Sequence, residues 1–208
     1  MQRDVAYYSQ SLDFTCGPAS LLMALHHFDP AIPLDRASEL ELWREANMVE
    51  SYGTSSYGLA WAAHRRGFSP TLINSHEGLP LRDTILDRFP DADPELLELF
   101  FTDLEARCRR AGIANEIRPL TLDDVRDALD RGDLPIVLTS TRVGVPDEHI
   151  PHWILVTGWE RDGFAVRNPY VEAGHPADWL PEAVLTANLG YEGEQSLVTV
   201  GSRPAADR

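Results

Sequence analysis

The sequence predicts an α+β protein, with helices in the first part of the chain and antiparallel strands in the second. Apolar residues recur at helical spacing in segments 18–28 and 94–104. By contrast, segments 135–140, 153–160 and 196–200 are short apolar runs rich in β-branched residues. Because the helical and strand patterns are segregated and do not alternate, a sheet built of βαβ units is excluded.

Three helices are expected in the first third of the chain. Pro18 can occupy the first turn of the first helix, and Asp29-Pro30 ends it. A second helix is expected to start after Asp35. A third covers residues 56–66 and stops at Gly67, a residue type common at helix C-termini.

The acidic segment 77–112 is expected to be a helical insertion into the domain. Within it, Asp93 can cap a helix that begins at Pro94. The insertion is either a lid over a substrate groove or a packing element, and the sequence leaves both open. After it, Thr121 can cap a short helix that stops near Gly132.

The second half of the chain is predicted to form the sheet. The turn sequence Arg161-Asp162-Gly163 separates strands 153–160 and 164–168, which indicates a β-hairpin. The length of 208 residues is that of one domain, which we expect to span residues 1–202. Residues 203–208 are expected to be a disordered tail.

The composition argues against several classes of protein. Hydrophobic residues make up 43% and charged residues 25%, which is ordinary for a globular protein. The 33 acidic and 18 basic residues leave a net charge of −15, which disfavours nucleic-acid binding and membrane binding through a polybasic patch. All 18 basic residues are Arg, which fits either an Arg-favouring genome with an acidic, soluble surface or adaptation to high salt.

Features that would direct the chain to a membrane or to secretion are not found in the sequence. The N-terminal residues lack the apolar region of a signal peptide, and no apolar run reaches the roughly 18 residues of a membrane span. Cys16 and Cys108 are far apart and do not suggest a disulfide framework. We therefore expect a cytoplasmic protein with reduced thiols and no cofactor.

The segment from Gln10 to Ser20 is the most informative about function. Cys16 lies where a loop becomes a helix, and the unpaired N–H groups and positive helix dipole there favour a thiolate. A thiolate is a nucleophile, and Gly17 leaves room for a substrate to approach the backbone. A buried structural cysteine is the alternative interpretation.

A cysteine nucleophile needs a base, and His152 is the best placed of the seven histidines. It opens the apolar strand 152–158, and a rigid strand fixes the position of an imidazole. By approximate hairpin register, Asn168 lies beside His152 and can hold the imidazole tautomer. The neighbouring Trp153 is expected to contact substrate. A metal held by His149 and His152 is an alternative, but no further ligands cluster nearby.

Other residues are candidates for binding the substrate. The side-chain amide of Gln10, together with a backbone N–H at the start of the helix, can bind the oxyanion of an acyl-transfer intermediate. Segment 52–59, with Tyr57 and Gly58, is either part of a substrate groove or an ordinary loop before a helix. Cys108 lies among arginines that can lower its pKa, although an incidental helix residue is favoured.

Taken in order, these segments resemble the papain-like cysteine peptidases. The matching residues are Gln10, block 13–20 (Asp-Phe-Thr-Cys-Gly-Pro-Ala-Ser), block 152–158 (His-Trp-Ile-Leu-Val-Thr-Gly) and Asn168-Pro169. More narrowly, the chain is similar to the bacteriocin-processing peptidases that cleave double-glycine leaders, and to stand-alone domains like them. Those peptidases usually have Asp at the position of Asn168 and are commonly fused to a transporter, whereas Asn in that role is similar to papain.

The resemblance implies a papain-like fold, in which a helical half carries Cys16 and a sheet half carries His152 and Asn168. It implies that Cys16 is the nucleophile, His152 the general base and acid, Asn168 the residue that orients His152, and Gln10 the oxyanion donor. The expected activity is hydrolysis of an amide bond in a peptide or small protein substrate. A papain-like acyltransferase and a non-catalytic peptide-binding domain are the alternatives.

Overall fold

The computed structural model describes residues 2–47, 53–170 and 179–203. Tyr52 of the candidate groove segment and residues 204–208 of the expected tail lie outside the described residues. Within them, the α-helices are α1 (Cys16–Phe28), α2 (Arg36–Ala46), α3 (Ser56–Arg65), α4 (Arg82–Arg88), α5 (Pro94–Arg110), α6 (Leu122–Arg131) and α7 (Glu182–Ala187). None of these helices combines the length and the apolar character needed to cross a membrane.

The strands of the described residues form one sheet. They are β1 (Ser69–Asn74), β2 (Ala114–Ile117), β3 (Leu134–Ser140), β4 (Pro151–Glu160), β5 (Gly163–Arg167), β6 (Trp179–Pro181) and β7 (Ser196–Gly201). Their order across the sheet is β2-β1-β7-β3-β4-β5-β6. Neighbouring strands are antiparallel except β1 and β2, which are parallel. The α+β class predicted from the sequence is confirmed.

The expectation of a purely antiparallel sheet confined to the second half of the chain is wrong for β1 and β2. β1 begins at Ser69 and lies between β2 and β7. It contains Pro70, a residue that argues against a strand inside a sheet when only the sequence is considered. Every residue of β2 is exposed, so this strand lacks the apolar alternation that marks a strand in a sequence.

Helices cover both faces of the sheet. On one face, Trp153 and Leu155 of β4 belong to the core that includes α1, α3 and α5. On the other face, Ile154 and Val156 of the same strand pack with α6 and α7. This division follows from the alternation of side chains along a strand. β4, whose second residue is the candidate base His152, is therefore buried on both faces.

Capping residues explain where several helices begin. The side chains of Asp35, Ser55, Asp93 and Thr121 accept hydrogen bonds from backbone N–H groups in the first turns of α2, α3, α5 and α6. The helix starts predicted from Asp35, Asp93 and Thr121 are confirmed. At the other end of α6, Gly132 adopts a left-handed conformation with φ of 101°.

Segment 77–112 contains α4 and α5, which occupy different environments. Phe101, Leu104 and Cys108 of α5 are buried in the core that also contains α3. The ring of Phe101 meets that of Tyr57 edge to face, with ring centroids 5.4 Å apart. α5 is therefore a packing element, whereas α4 borders the groove described below.

Candidate active site

Cys16 is the first residue of α1 and is nearly buried, with 7% of its surface exposed. One turn further along the helix, the hydroxyl of Ser20 donates a hydrogen bond to the carbonyl of Trp153 at 3.2 Å. The backbone N–H of Trp153 also lies close enough to the Cys16 sulfur to lower the pKa of its thiol. The start of α1 is thereby fixed against the start of β4, one residue away from His152.

Burial raises the pKa of the Cys16 thiol, contrary to the thiolate expected from the sequence. The N–H groups of Trp153, Gly17 and Cys16 itself lower the pKa by hydrogen bonding to sulfur, but burial is the larger effect. The helix N-terminus is present as predicted, yet its stabilisation of the thiolate is outweighed by desolvation. Cys16 is therefore a neutral thiol at neutral pH.

His152 and Asn168 are joined by a hydrogen bond between two buried side chains. The Nε2 atom of His152 lies 2.7 Å from Oδ1 of Asn168. The same Oδ1 accepts the backbone N–H of Tyr170 at 3.1 Å, which identifies it as the amide oxygen. Because an amide oxygen can only accept, Nε2 of His152 carries the proton and Nδ1 is left with a lone pair.

Burial also determines the charge of His152. It lowers the pKa of the imidazole to about 4, while the hydrogen bond that His152 donates to Asn168 raises it by a smaller amount. At neutral pH the imidazole is therefore neutral, as a general base must be before it accepts a proton. The resting site combines a neutral thiol with a neutral base.

The β4–β5 hairpin places Asn168 diagonally across from His152. Leu155 pairs with Arg167, and the register shifts between Val156 and Gly158. Asn168 follows directly after β5, and continuing this register sets it opposite Ile154, two residues from His152 on the same side of β4. The bulge accounts for one residue of the unequal arms, and the contact between the two side chains spans the remaining offset. The sequence reveals neither the bulge nor this offset.

Gln10 lies beside the end of this hairpin. Its backbone N–H donates to the carbonyl of Pro169 at 3.0 Å, next to Asn168. Its side-chain Nε2 donates to the carbonyl of Leu12 at 2.9 Å, which uses one of the two amide hydrogens. The Oε1 atom is buried and has no hydrogen-bond partner within the described part of the chain. The second hydrogen on Nε2 is the candidate donor to a substrate.

Glu39 is a residue of the site that the sequence analysis missed. Its fully buried carboxylate accepts hydrogen bonds from the hydroxyl of Tyr8 at 3.0 Å and from the backbone N–H of Ser11 at 2.9 Å. The hydroxyl of Ser11 donates to the same carboxylate. Glu39 thereby holds the chain on both sides of Gln10. A single glutamate on an otherwise mixed helix gives no signal of this burial.

Cys16 and His152, both within the described residues, do not share a hydrogen bond in this structure. They are connected through Trp153, which follows His152 in the chain and whose carbonyl accepts a hydrogen bond from Ser20, one turn after Cys16, at 3.2 Å. Catalytic hydrogen bonds are often long without substrate and shorten in the substrate complex. The structure therefore brings His152, Asn168 and the Gln10 segment together, and it packs the start of α1, which carries Cys16, against Trp153, the residue after His152.

A groove of about 240 Å³ opens over Cys16. Its lining is mostly apolar and comes from the loop before α1, the segment before α3, α4 with its flanks, and the strands β3 and β4. The lining residues are Asp13, Phe14, Cys16, Gly53, Thr54, Leu81, Thr84, Ile85, Arg88, Phe89, Leu138, Ile150, Pro151 and Trp153. A lining of this type suits a ligand with apolar side chains.

Of the candidate substrate-binding residues Trp153, Tyr57 and Gly58, one lines the groove and two pack between helices. Trp153 lines the groove as expected. Tyr57 is buried instead against α5, and its hydroxyl accepts a hydrogen bond from Asn115 at 2.9 Å. Gly58 faces the backbone of Ala46, where an added Cβ would lie 2.4 Å from the carbonyl oxygen. The assignment of Tyr57 and Gly58 to the groove is therefore corrected to helix packing.

Gly17 is also tightly enclosed. A Cβ at this position would lie 2.3 Å from Oγ1 of Thr54 and 3.2 Å from Cδ1 of Trp153. The open space expected for a substrate at Gly17 is therefore filled by the protein itself. Within the described part of segment 52–59, the residues that line the groove are Gly53 and Thr54.

Cys108 lies in a buried setting that differs from the one inferred from its sequence neighbours. Burial, followed by the charge of Glu105, raises the pKa of Cys108 to about 12, so its arginine neighbours in sequence do not activate it. Its thiol donates to the carbonyl of Tyr57 at 3.3 Å. Among the described residues, no group of three or more His, Cys, Asp or Glu could hold a metal ion.

Residues 5–188 match the family described as Peptidase_C39 like. The chain belongs to this Peptidase_C39-like family. All four candidate catalytic residues, Gln10, Cys16, His152 and Asn168, lie within the matched residues. No curated protein matches the chain.

Among solved structures, this Peptidase_C39-like chain is similar to the peptidase domain of Streptococcus ComA, a bi-functional ABC transporter involved in a quorum-sensing pathway. The TM-score is 0.51 at 13% sequence identity, and the alignment covers 96% of this chain and 99% of that domain. At this identity the likeness concerns the fold. It confirms the papain-like architecture expected from the resemblance.

Proposed function

We propose that this protein is a cysteine peptidase or related amide hydrolase that acts on a peptide or small protein. The observation that carries the proposal is the hydrogen bond from His152 to Asn168, which leaves Nδ1 of His152 free to act as a base. The next residue of β4, Trp153, lies against the Cys16 sulfur. A nucleophile, a base and an orienting group for the base are the three parts of this chemistry.

In the proposed acylation step, Nδ1 of His152 takes the proton of the Cys16 thiol while sulfur attacks the substrate carbonyl carbon. The carbonyl π electrons move to oxygen, and the free amide hydrogen of Gln10 and the backbone N–H of Cys16 stabilise that oxyanion. His152 then gives the proton to the leaving amine as the carbon–nitrogen bond breaks. A thioester on Cys16 and a free amine result.

Deacylation uses the same groups in reverse. His152 takes a proton from water, and the hydroxide attacks the thioester carbonyl. When the carbon–sulfur bond breaks, the proton returns to sulfur and the carboxylic acid product leaves. Asn168 holds the imidazole in one tautomer during both steps and adds no charge.

The neutral resting state fits this sequence of steps. Because burial raises the pKa of Cys16 and lowers that of His152, separated charges are unfavourable before substrate binds. Proton transfer accompanies nucleophilic attack, when the new oxyanion can be stabilised. Since Cys16 must be a free thiol, we place the activity in a reducing compartment such as the cytoplasm.

The charge and the groove suggest the kind of substrate. The net charge of −15 favours encounter with neutral or basic peptides. The apolar lining around Cys16 favours peptides with apolar side chains near the scissile bond. A peptide substrate is in keeping with the peptidase-domain neighbour ComA, although this chain is similar to that domain only in fold.

The test is proteolysis of a complex peptide mixture, with new peptide termini identified by mass spectrometry. We expect cleavage by the wild-type chain, and loss of it in Cys16→Ala and His152→Ala variants, since positioned acid–base catalysis contributes roughly 10²–10⁴-fold. Gln10→Ala should lower the rate by about 10²–10³-fold if its amide stabilises the oxyanion.

Circular dichroism and thermal unfolding serve as the fold controls for these variants. Cleavage that persists unchanged in folded Cys16→Ala or His152→Ala protein would contradict the proposal. A wild-type Cys16 that reacts with no thiol-directed probe would favour a non-catalytic peptide-binding domain.

A further inference from the structure

A second cavity, of about 220 Å³, adjoins the groove over Cys16. Leu138 of β3 lines the groove, and Ser140, two residues further along the same strand, lines the second cavity. Residues two apart on a strand face the same side and are about 7 Å from each other, which two residues of an extended peptide also span. We call this second cavity the polar extension; the side chains that line it include those of Ser140, Arg142, His149, Tyr191 and Glu192.

The groove and the polar extension share two further walls. Thr84 of α4 lines the groove, and its hydroxyl donates a hydrogen bond to the carboxylate of Glu192 in the extension. In the segment before β4, His149 lines the extension and the next residue, Ile150, lines the groove. A peptide that follows these walls away from Cys16 therefore passes from the groove into the extension.

The polar extension is built from segments that hold one another in place. The ring of His149 lies against that of Tyr191, with centroids 4.5 Å apart, and its Nδ1 is 2.8 Å from the hydroxyl oxygen of Ser140. The backbone N–H of Gly190 donates to the carbonyl of Leu138 at 2.8 Å, which attaches the Tyr191 turn to β3. Walls that are held this way need little further ordering when a ligand binds.

Two arginines come together where the cavities meet. Arg88, the last residue of α4, lines the groove, and Arg142, in the short turn after β3, lines the extension. Burial and then Glu192 raise the pKa of the Tyr191 hydroxyl, whereas the charges of Arg88 and Arg142 lower it by smaller amounts, so both guanidinium groups lie near this hydroxyl. Neither guanidinium group makes a hydrogen bond or an ion pair with the residues that the structure describes.

The arginines of another cavity in the described chain have carboxylate partners. In the cavity of about 300 Å³ beside α2, Arg66 lies 2.9 Å from Glu45, and Arg203 lies 2.8 Å from Asp29. With 33 acidic residues against 18 basic ones, the chain can supply a carboxylate to an arginine readily. Arg88 and Arg142 thus lack the anion that the protein itself provides to the arginines of this other cavity.

A carboxylate of the bound peptide fits this place. Guanidinium groups bind carboxylates through charge-assisted hydrogen bonds, and a peptide carries carboxylates in its Asp and Glu side chains and at its C-terminus. Near the Tyr191 hydroxyl, two guanidinium groups face one carboxylate, that of Glu192. Asp13, the acidic residue of the groove lining, is three residues before Cys16 in the chain. The junction is therefore positive, although the whole chain carries a net charge of −15.

We propose that Arg88 and Arg142 bind a carboxylate of the peptide substrate, about two or more residues away from the scissile bond. The inference rests on the proposed function, because it concerns the substrate on which Cys16 acts. The carboxylate belongs either to an Asp or Glu side chain or to the C-terminus of the peptide. The two arginines thereby select among peptides whose apolar side chains fit the groove equally well.

The test starts from the peptides that the wild-type chain cleaves in a chymotryptic digest of cell proteins. We expect Asp or Glu, or the peptide C-terminus, to occur at one preferred distance from the cleavage site. One cleaved peptide is then synthesised in three forms: unchanged, with its acidic side chain replaced by the amide, and with its C-terminus amidated. The form with the lower kcat/KM identifies the source of the carboxylate.

The measured quantity is the ratio of kcat/KM for the unchanged peptide to kcat/KM for that neutral form. We expect a ratio of about tenfold in wild type, about threefold in Arg88→Gln and in Arg142→Gln, and about one in the double variant. Because the arginines lie away from the reacting atoms, the difference should appear in KM. Arg109→Gln removes the charge of an exposed arginine near the end of α5, and this matched control should keep the wild-type ratio.

Charge reversal gives a readout that a structural effect would not produce. In the Arg88→Glu, Arg142→Glu double variant, the preference should reverse toward a peptide that carries Lys in place of the acidic residue, or an aminoethylamide in place of the C-terminal carboxylate. The Tm of Arg88→Gln and of Arg142→Gln should equal that of wild type, because neither guanidinium group bonds to the described residues.

Several outcomes would overturn the role of the two arginines and leave the proposed function intact. These are cleaved peptides with no preferred carboxylate position, a wild-type ratio near one, and a wild-type ratio that persists in the double variant. An equal loss of the ratio in Arg109→Gln would show a general effect of charge and would also overturn it. A wild-type chain that cleaves no peptide of the digest would overturn the proposed function and the arginine assignment together.

Discussion

His152 and Asn168 are 16 residues apart in the chain, yet Nε2 of one lies 2.7 Å from Oδ1 of the other. This contact determines which imidazole nitrogen carries the proton. It also adds no charge to a site whose burial already disfavours charge. Asn168 therefore fixes the orientation and tautomer of a neutral imidazole and leaves its charge unchanged. Substitutions of Asn168 test this role.

Asn168→Ala and Asn168→Asp should have different effects on the pH profile. Asn168→Ala removes the acceptor, so we expect the kcat/KM for peptide cleavage to fall at least about tenfold as the tautomer is lost. Asn168→Asp keeps an acceptor and adds a negative charge, which raises the pKa of His152. The acidic limb of the kcat/KM profile should therefore move to higher pH in Asn168→Asp. An unchanged profile in both variants would contradict the assigned role.

The buried imidazole should make folding stability depend on pH. Its pKa is about 4 in the folded protein and about 6.5 in an unfolded chain, so the unfolded chain takes up the proton first as the pH falls. The contribution of His152 to stability is complete above about pH 6.5 and is lost progressively down to about pH 4. The full loss is about 3 kcal/mol, from roughly 1.4 kcal/mol for each unit of pKa shift.

Urea unfolding of wild type and His152→Gln at several pH values measures this contribution. The difference in unfolding free energy between the two proteins should change by about 3 kcal/mol between pH 7 and pH 4. Parallel pH curves would show that His152 is not buried as a neutral group.

Glu39 should be needed for both stability and activity. Glu39→Gln keeps the size of the side chain but replaces a buried carboxylate that accepts bonds from Tyr8 and Ser11. We expect a loss of about 2–3 kcal/mol in unfolding free energy. Gln10 lies between Tyr8 and Ser11 in the chain, so the substitution should also displace Gln10. We therefore expect the rate of peptide cleavage to fall by more than the fraction of protein that is unfolded.

Glu41→Gln is the matched control on the same helix. Glu41 has a side chain 69% exposed and lies 3.7 Å from Arg66. Its replacement should change the unfolding free energy by less than about 1 kcal/mol. Equal effects of the two substitutions would contradict the role given to Glu39.

The contact between α2 and α3 should not tolerate a side chain at residue 58. In Gly58→Ala, the new Cβ would meet the carbonyl oxygen of Ala46 at 2.4 Å and its Cα at 2.7 Å. Backbone atoms cannot rotate away, so the helices must separate. We expect a loss of about 3 kcal/mol, measured by urea unfolding. A loss below about 1 kcal/mol would show that the two helices separate easily.

Local signals in the sequence are sufficient for part of the fold. Asp35, Asp93 and Thr121 mark helix starts because a capping side chain acts on its own first turn. Cys16 at the start of α1 follows in the same way from Pro18 two residues later. These helix starts are determined by residues a few positions away in the chain, so they can be predicted from one sequence.

The rest depends on contacts between distant segments. The exposed strand β2 acquires its structure from pairing with β1, and no apolar pattern marks it. The raised pKa of Cys16 comes from burial beneath other elements, which its position at a helix start does not reveal. Glu39 and Thr54 likewise become part of the site only through the folding of separate segments around them.

The bulge between Val156 and Gly158 limits how the hairpin can change in length. Successive residues of a strand face opposite sides, so losing one residue from β4 or β5 would turn the Asn168 amide away from the imidazole. Insertions between the two strands are compatible with function only at the tip, where Arg161 and Asp162 make the turn. Natural or engineered length variation in this hairpin should therefore be confined to those two positions.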